Sequence, residues 1–239
     1  MRILAALAAS SLLVLAACSQ EDAPSDAISD AADKVVEQVE GTGAEKLAKG
    51  PYAPRDECAD VEGAPAFRAA LAKAVAARDT DGLIALAAPD VQLDFGGGAG
   101  TAELRKRLAD PAYDLWDELA TLVTLGCAKG EVGGGITLPW SFAQDFAGLD
   151  VLNSFIVMGE DVPLRESADP ASKPLGMVSW DAVTLVGSFK PDEKFHQVKA
   201  SDGKVGFIDA GKLRPIAGYR ILASSRDGKW SFTSLIAGD

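Results

Sequence analysis

This chain of 239 residues has few histidines and cysteines, and fewer basic than acidic side chains. Lys and Arg number 23 against 35 Asp and Glu, a net charge of −12. A surface so acidic repels nucleic acid and anionic lipid headgroups, so DNA and RNA binding are excluded. There is one histidine, His196, and there are three cysteines, Cys18, Cys58 and Cys127. A structural zinc site takes four Cys or His ligands, so no metal is expected. Beyond the first 17 residues no apolar run approaches the ~20 residues of a spanning helix. Gly-x-Ser-x-Gly, the elbow of many serine hydrolases, is absent.

What is present begins at the N-terminus. Arg2 supplies a positive charge, and Ile3 to Ala17 is an uncharged, mostly apolar run. Its length suits a cleavable export signal better than a membrane span. The run closes on Leu15-Ala16-Ala17-Cys18, which resembles the lipobox of bacterial lipoproteins. That resemblance implies cleavage after residue 17 and a diacylglyceryl group on Cys18. Ser19, where retained lipoproteins have Asp, implies the periplasmic face of the outer membrane. The mature chain then has 222 residues with 22 basic and 35 acidic side chains, a net charge of −13. Lipidation of Cys18 leaves Cys58 and Cys127 as an even pair in an oxidising compartment, where a disulfide is expected, the alternative being two buried thiols.

Composition divides the rest. Residues 18–50 form an acidic tether: from Ser19 on there are eight acids, three lysines and no aromatic residue, too little apolar surface to fold alone. Within it Ile28, Ala32, Val35 and Val39 recur at helical spacing, a solvated stalk or a docking helix. Residues 51–150 are expected to be a mainly helical domain. Phe67, Leu71 and Val75 share a face after Pro65. Asp79 or Thr80 caps a second helix that ends at Pro89. Leu104 and Leu108 mark a third, and Asp110-Pro111 opens a fourth that Gly126 ends. Val91 to Phe95 alternates like a half-buried strand, and Gly130 to Asp150 reads as loop. Residues 151–216 turn to strands. Residues 217–239 read as a hairpin turning at Arg226-Asp227-Gly228-Lys229. An isolated hairpin is marginal, and so is a lone strand at Val91–Phe95, so the hairpin is expected to return to the helical domain.

The strand-rich region resembles the bacterial Src homology 3 domain, a small five-stranded barrel of envelope proteins. The likeness is carried by Gly159-Glu160-Asp161-Val162-Pro163-Leu164-Arg165, by Gly176-Met177-Val178-Ser179-Trp180-Asp181 where the family has a short turn, and by Phe195-His196-Gln197-Val198 followed by Asp202-Gly203-Lys204-Val205-Gly206-Phe207-Ile208, with Leu213 closing. Phe195 and Phe207 stand where the family often has Trp. A second resemblance, to nuclear-transport-factor-2-like α+β cones, is carried by Arg78-Asp79-Thr80-Asp81-Gly82-Leu83, by Ala88 to Phe95 and by the closing hairpin. The fold class expected is therefore α+β: a helical domain, a Src-homology-3-like barrel and a C-terminal hairpin.

The resemblance implies that peptide ligands dock on aromatic-lined grooves. Trp180, Phe189, Phe195, Phe207 and Tyr219 are the candidate ligand-binding residues, each with barrel core as the competing role. Gly96-Gly97-Gly98-Ala99-Gly100 sits where phosphate loops sit but lacks the following Gly-Lys-Ser/Thr, so a turn is expected. A Cys–His peptidase would need a free thiolate beside His196, which is expected on the surface, opposite an inward Phe195. No catalytic residue and no cofactor are expected. The function expected is a non-catalytic envelope lipoprotein binding a peptide, peptidoglycan or a protein partner through the barrel. The alternatives are a cell-wall hydrolase-like enzyme that the barrel only targets, and a structural assembly component.

Overall fold

The computed structural model describes residues 48–130, 134–146 and 148–238. The segments expected to be an export signal and a tether, up to residue 47, lie outside the described residues, as do Cys18 and Gly133. Among the described residues the fold is α+β, with four α-helices and two sheets.

The segment after Tyr52 supplies α1 (Ala64–Ala76), α2 (Thr80–Ala85), β1 (Ala87–Gln92), α3 (Thr101–Ala109), α4 (Leu115–Leu122), β2 (Ala128–Lys129) and β3 (Ile136–Leu138). In α1 the spacing of Phe67, Leu71 and Val75 puts all three in the core, and Pro65 occupies the first turn, where its missing N–H costs nothing. Asp79 caps α2 by accepting the Gly82 N–H at 2.9 Å. The helix expected from Pro111 is broken: a 3-10 turn at Pro111–Tyr113 ends at Asp114, whose φ of +47° forces a restart at Leu115.

The first sheet has the order β1-β12-β11-β3-β2, where β11 (Arg220–Arg226) and β12 (Lys229–Ile236) are the last strands of the chain. β12 runs parallel to β1, with Ala87 opposite Phe232, and antiparallel to β11. The strand expected at Val91–Phe95 thus begins earlier, at Ala87, and the helix expected to reach Pro89 stops at Ala85. Ala-Ala-Pro-Asp has no strand signature, but β1 is an edge strand, where sheets tolerate proline. Ile136–Leu138, expected to be loop, is a buried strand between β11 and β2. Helices and sheet enclose one core of 24 buried residues, among them Leu71, Leu83, Leu119, Ile221 and Phe232.

Cys58 and Cys127 are bridged, with Cα atoms 5.8 Å apart. Gly126 makes the approach possible: its φ is +75°, and a Cβ there would lie 2.3 Å from the Arg55 carbonyl oxygen. The buried Arg68 guanidinium beside this segment donates to both carboxylate oxygens of Asp56 at 2.7 Å, and Asp56 also accepts the Cys58 N–H.

Between β3 and β11 the chain builds the second sheet: β4 (Ser154–Val157), β5 (Val162–Arg165), β6 (Pro174–Val178), β7 (Ala182–Leu185), β8 (Phe195–Ala200), β9 (Val205–Asp209) and β10 (Leu213–Pro215). Its order is β10-β4-β7-β8-β9-β5-β6, antiparallel throughout. No ladder joins β10 to β6, so hydrogen bonding does not close this sheet into a barrel. Pro174–Val178, placed partly in a turn by the sequence, pairs with β5. The turn comes one step later, at Trp180, with φ +41°.

Alternation along β8 runs opposite to expectation. His196, Val198 and Ala200 are buried, whereas Phe195 and Gln197 are half-exposed. His196 is 2% exposed and stacks on Phe189 at 4.5 Å, so it is an interior residue and not a surface one. An imidazole is flat enough to fill an aromatic slot, and period two then fixes its neighbours outward.

The two halves meet at a small apolar cluster of Ile156, Ala182 and Ile216 with Tyr52, Phe146 and Trp180. Tyr52 N–H donates to the Trp180 carbonyl at 2.9 Å. Arg214 donates to Glu118 at 3.3 Å and to the Tyr219 carbonyl at 2.9 Å.

Candidate functional site

The five aromatic residues singled out from the sequence do not form one groove. Trp180 is half-buried in the apolar cluster between the halves. Tyr219 packs against the core of the first half. Phe189 is 47% exposed and covers Phe155 and His196 with stacked rings at 5.6 Å and 4.5 Å.

Phe195 and Phe207 do share a surface. The β8–β9 register sets Phe195 opposite Asp209 and Gln197 opposite Phe207, and Phe207 is opposite Arg165 of β5. Residues directly opposite point the same way, so these side chains lie on the outer face of three adjacent strands. The inner face carries Val198, Ile208 and Leu164, part of a core of 10 buried residues. The two phenylalanines are diagonal neighbours, a relation that sets side chains roughly 7–8 Å apart.

Phe195 also lines a cleft of about 280 Å³, with Pro163, Arg165, Pro170, Asp209 and Lys212 among its other walls. Its flanks are the loop joining β5 to β6 and the 3-10 turn Ala210–Lys212. That turn is held by Asp209, which accepts the Gly211 N–H at 2.8 Å. Arg165 is steadied by donating to the Ser172 carbonyl at 2.7 Å. Glu160, on the rim, accepts the Lys49 N–H at 2.8 Å, so the start of the described chain lies beside the cleft. Two ring faces, two prolines and both signs of charge suit an extended peptide, which offers apolar side chains at alternate positions and polar groups between. Sequence reasoning missed Pro163, Pro170, Asp209 and Lys212. The inward placement of Phe195 hid this face, although period two from a buried His196 would have found it.

The other constellations have structural partners. Asp94 accepts the N–H groups of Gly96 and Gly98 at 2.7 Å and 2.8 Å, so the glycine loop holds a carboxylate of its own chain. Arg107, which is buried, binds Asp94, Glu103 at 3.0 Å and the Leu93 carbonyl at 2.9 Å. The hydrogen bond from Arg107 is the main reason that the carboxyls of Asp94 and Glu103 lie below their usual range. Burial raises the Tyr219 phenol, an effect that nearby Arg107 opposes. Asp56, Cys58 and Cys127 place ligand atoms within 4.8 Å of one another, but the two sulfurs are bonded to each other, which leaves no thiolate for a metal. The buried Nε2 of His196 has no hydrogen-bond partner among the described residues.

No family model and no curated protein matches the sequence. Among solved structures, one of a protein of unknown function with a cystatin-like fold from Nostoc punctiforme is similar, at 12% identity over 72% of this chain and 86% of that one, with a TM-score of 0.23. Another, of a putative calcium/calmodulin-dependent protein kinase II association domain from Xanthomonas campestris, is similar at 15% identity over 82% of this chain and 97% of that one, also with a TM-score of 0.23. Likeness at that level decides neither fold nor function.

Proposed function

We propose that this protein is a non-catalytic lipoprotein of the cell envelope, anchored through Cys18 on the periplasmic face of the outer membrane, that binds an extended peptide segment on the outer face of its second sheet. The segment belongs to a protein partner or to peptidoglycan. The observation that carries the reading is the pairing of Phe195 and Phe207 on one outer face, with Phe195 continuing into the cleft of about 280 Å³. The sequence motifs of residues 159–165 and 195–208 support treating the second sheet as an open Src-homology-3-like module, and the helices and first sheet as a nuclear-transport-factor-2-like scaffold that carries it. The one imidazole of the chain, His196, is buried and stacked on Phe189, which favours a packing role for it over that of a general base.

The test uses the mature chain from Ser19 and its Phe195→Ser/Phe207→Ser variant. Both are exposed to an array of eight-residue peptides and to purified peptidoglycan at low and high salt. Peptide or peptidoglycan binding by the parent, lost by at least about tenfold in the variant, is the expected result, since removal of two contact rings costs more than 1.4 kcal/mol. Equal binding by the two chains would refute the site.

A further inference from the structure

We infer that the open edge of β6 is a strand-addition site, where an extended segment of a partner protein, uncharged in its middle and basic at its ends, pairs main chain to main chain with residues 175–178. The edge is distinct from the face of Phe195 and Phe207, and it holds its occupant by backbone hydrogen bonds more than by side-chain contacts.

β6 ends its sheet. Its one ladder is with β5, and no strand lies on its other side among the described residues. The register sets Met177 opposite Pro163. A proline has no N–H, so this is a non-hydrogen-bonded pair, and the N–H and C=O of Met177 point away from β5. No turn or loop bond among the described residues takes them up. Edge strands are commonly guarded by charged side chains. β6 reads Pro-Leu-Gly-Met-Val and has none, while Leu175 and Met177 are 38% and 58% exposed. Pro174 and the register shift beside Arg165 blunt only the start of the strand. At the far end Gly50 packs on the Ser179 carbonyl, where a Cβ would come within 2.0 Å, and the Tyr52 N–H donates to the Trp180 carbonyl at 2.9 Å. The chain's own backbone thus lies against the edge just beyond β6 and leaves residues 175–178 open.

The surroundings define the occupant. Between this stretch and the β8–β9 turn lies a cavity of about 160 Å³, lined by buried Leu164, Val178 and Ala200 and by Asp181, Asp202 and Lys204. Its charges are already engaged: Lys204 donates to Asp202 at 2.6 Å, and Asp181 accepts the Ser201 hydroxyl at 2.5 Å. Side chains of an added strand alternate between the faces, so one enters this cavity and the next lies over Met177 and Pro163. Both positions suit a small uncharged side chain such as Val or Thr. Residues 159–181 carry five acidic and two basic side chains, which favours basic ends on the occupant. The same imbalance, on a chain of net charge −12, opposes a second copy at this edge.

The test uses the mature chain from Ser19 and an eight-residue probe of alternating Val and Thr with Lys at each end. Binding is expected below about 1 mM, with slowed exchange of the Met177 amide, which exchanges fast in the free chain. A probe N-methylated at alternate residues, on either edge in turn, should bind from one edge only. Met177→Pro removes an N–H that β5 does not use, and should weaken binding at least about tenfold with the melting temperature unchanged. Phe195→Ser/Phe207→Ser should bind the probe as the parent does, whatever that variant does to the peptides of the array. Should the proline variant not fold, exchange at Met177 in the unaltered chain decides alone. No binding at about 1 mM, a Met177 amide already protected in the free chain, or equal loss in the phenylalanine variant would each overturn the inference. So would a dimer in light scattering that Met177→Pro abolishes, since the edge would then belong to a second copy.

Discussion

The two halves of this molecule solve the same packing problem with different means. The first encloses 24 buried residues between helices and a sheet, and a disulfide joins the entry of α1 to the exit of α4. Its sheet needs strands from both ends of the folded chain. The second encloses 10 buried residues, has no cross-link, and is built from one continuous stretch between β3 and β11. The first half therefore depends on long-range closure, and the second on local hairpins. Exposed apolar side chains follow the same division, with six of eight in the small continuous half. In the proposed function the braced half is the scaffold and the inserted half carries the binding face.

The most drastic way to break the comparison is truncation after Ala217. It removes β11 and β12, which leaves β1 without its ladder partner and β3 with β2 alone. Unpaired strand amides against an opened core cost more than the first half can bear. Limited proteolysis should then digest residues 51–146 while β4 to β10 resist. Equal resistance of both parts would show that the terminal hairpin does not hold the scaffold.

Next in size is the Cys58→Ser/Cys127→Ser variant. A bridge across a sequence separation of 69 contributes about 4 kcal/mol in the chain-entropy model. Urea unfolding should show that loss. Amide exchange should locate it in α1, α4 and the first sheet, with β7 to β9 retaining their protection.

A pH experiment sharpens the contrast further. Arg107 holds the carboxyls of Asp94 and Glu103 below their usual range. A depressed folded pKa gives stability that is present above the unfolded pKa, near 4, and lost as pH falls through the folded value. The Asp114 carboxyl is raised instead, chiefly by its hydrogen bond with Asp117, so its contribution is present at low pH and fades as pH rises through its folded value. Arg107→Gln should move acid unfolding of the first half to higher pH and leave the second half unchanged. The smallest effect is expected at His196. Its buried Nε2 lacks a partner, so His196→Leu should change stability by no more than about 1 kcal/mol, measured by urea unfolding.

Features that are local in the chain were readable in the sequence. Asp227-Gly228 turns the last hairpin, with φ of +53° and +77°, and Gly126 ends the helical region beside Cys127. Phe67, Leu71 and Val75 announced their face of α1. Features decided by distant partners were not readable. Ala87 to Pro89 becomes a strand only because β12 lies beside it, and Ile136–Leu138 only because β11 does. The candidate site was half legible for the same reason. Phe195 and Phe207 stood out as aromatics, but their orientation depended on whether His196 went in or out, and the interior stack with Phe189 that decides this is a tertiary contact. Pro170 and Lys212 lie on loops whose approach to Phe195 has no periodic signal.

Amide chemical-shift mapping, with the tightest peptide from the array titrated into the labelled mature chain, tests the division of labour most directly. The account predicts perturbations at Arg165, Gln197, Phe207, Asp209 and Lys212, with the first sheet silent. Perturbations centred instead on Phe95, Tyr113 and Tyr219 of the first half would contradict it.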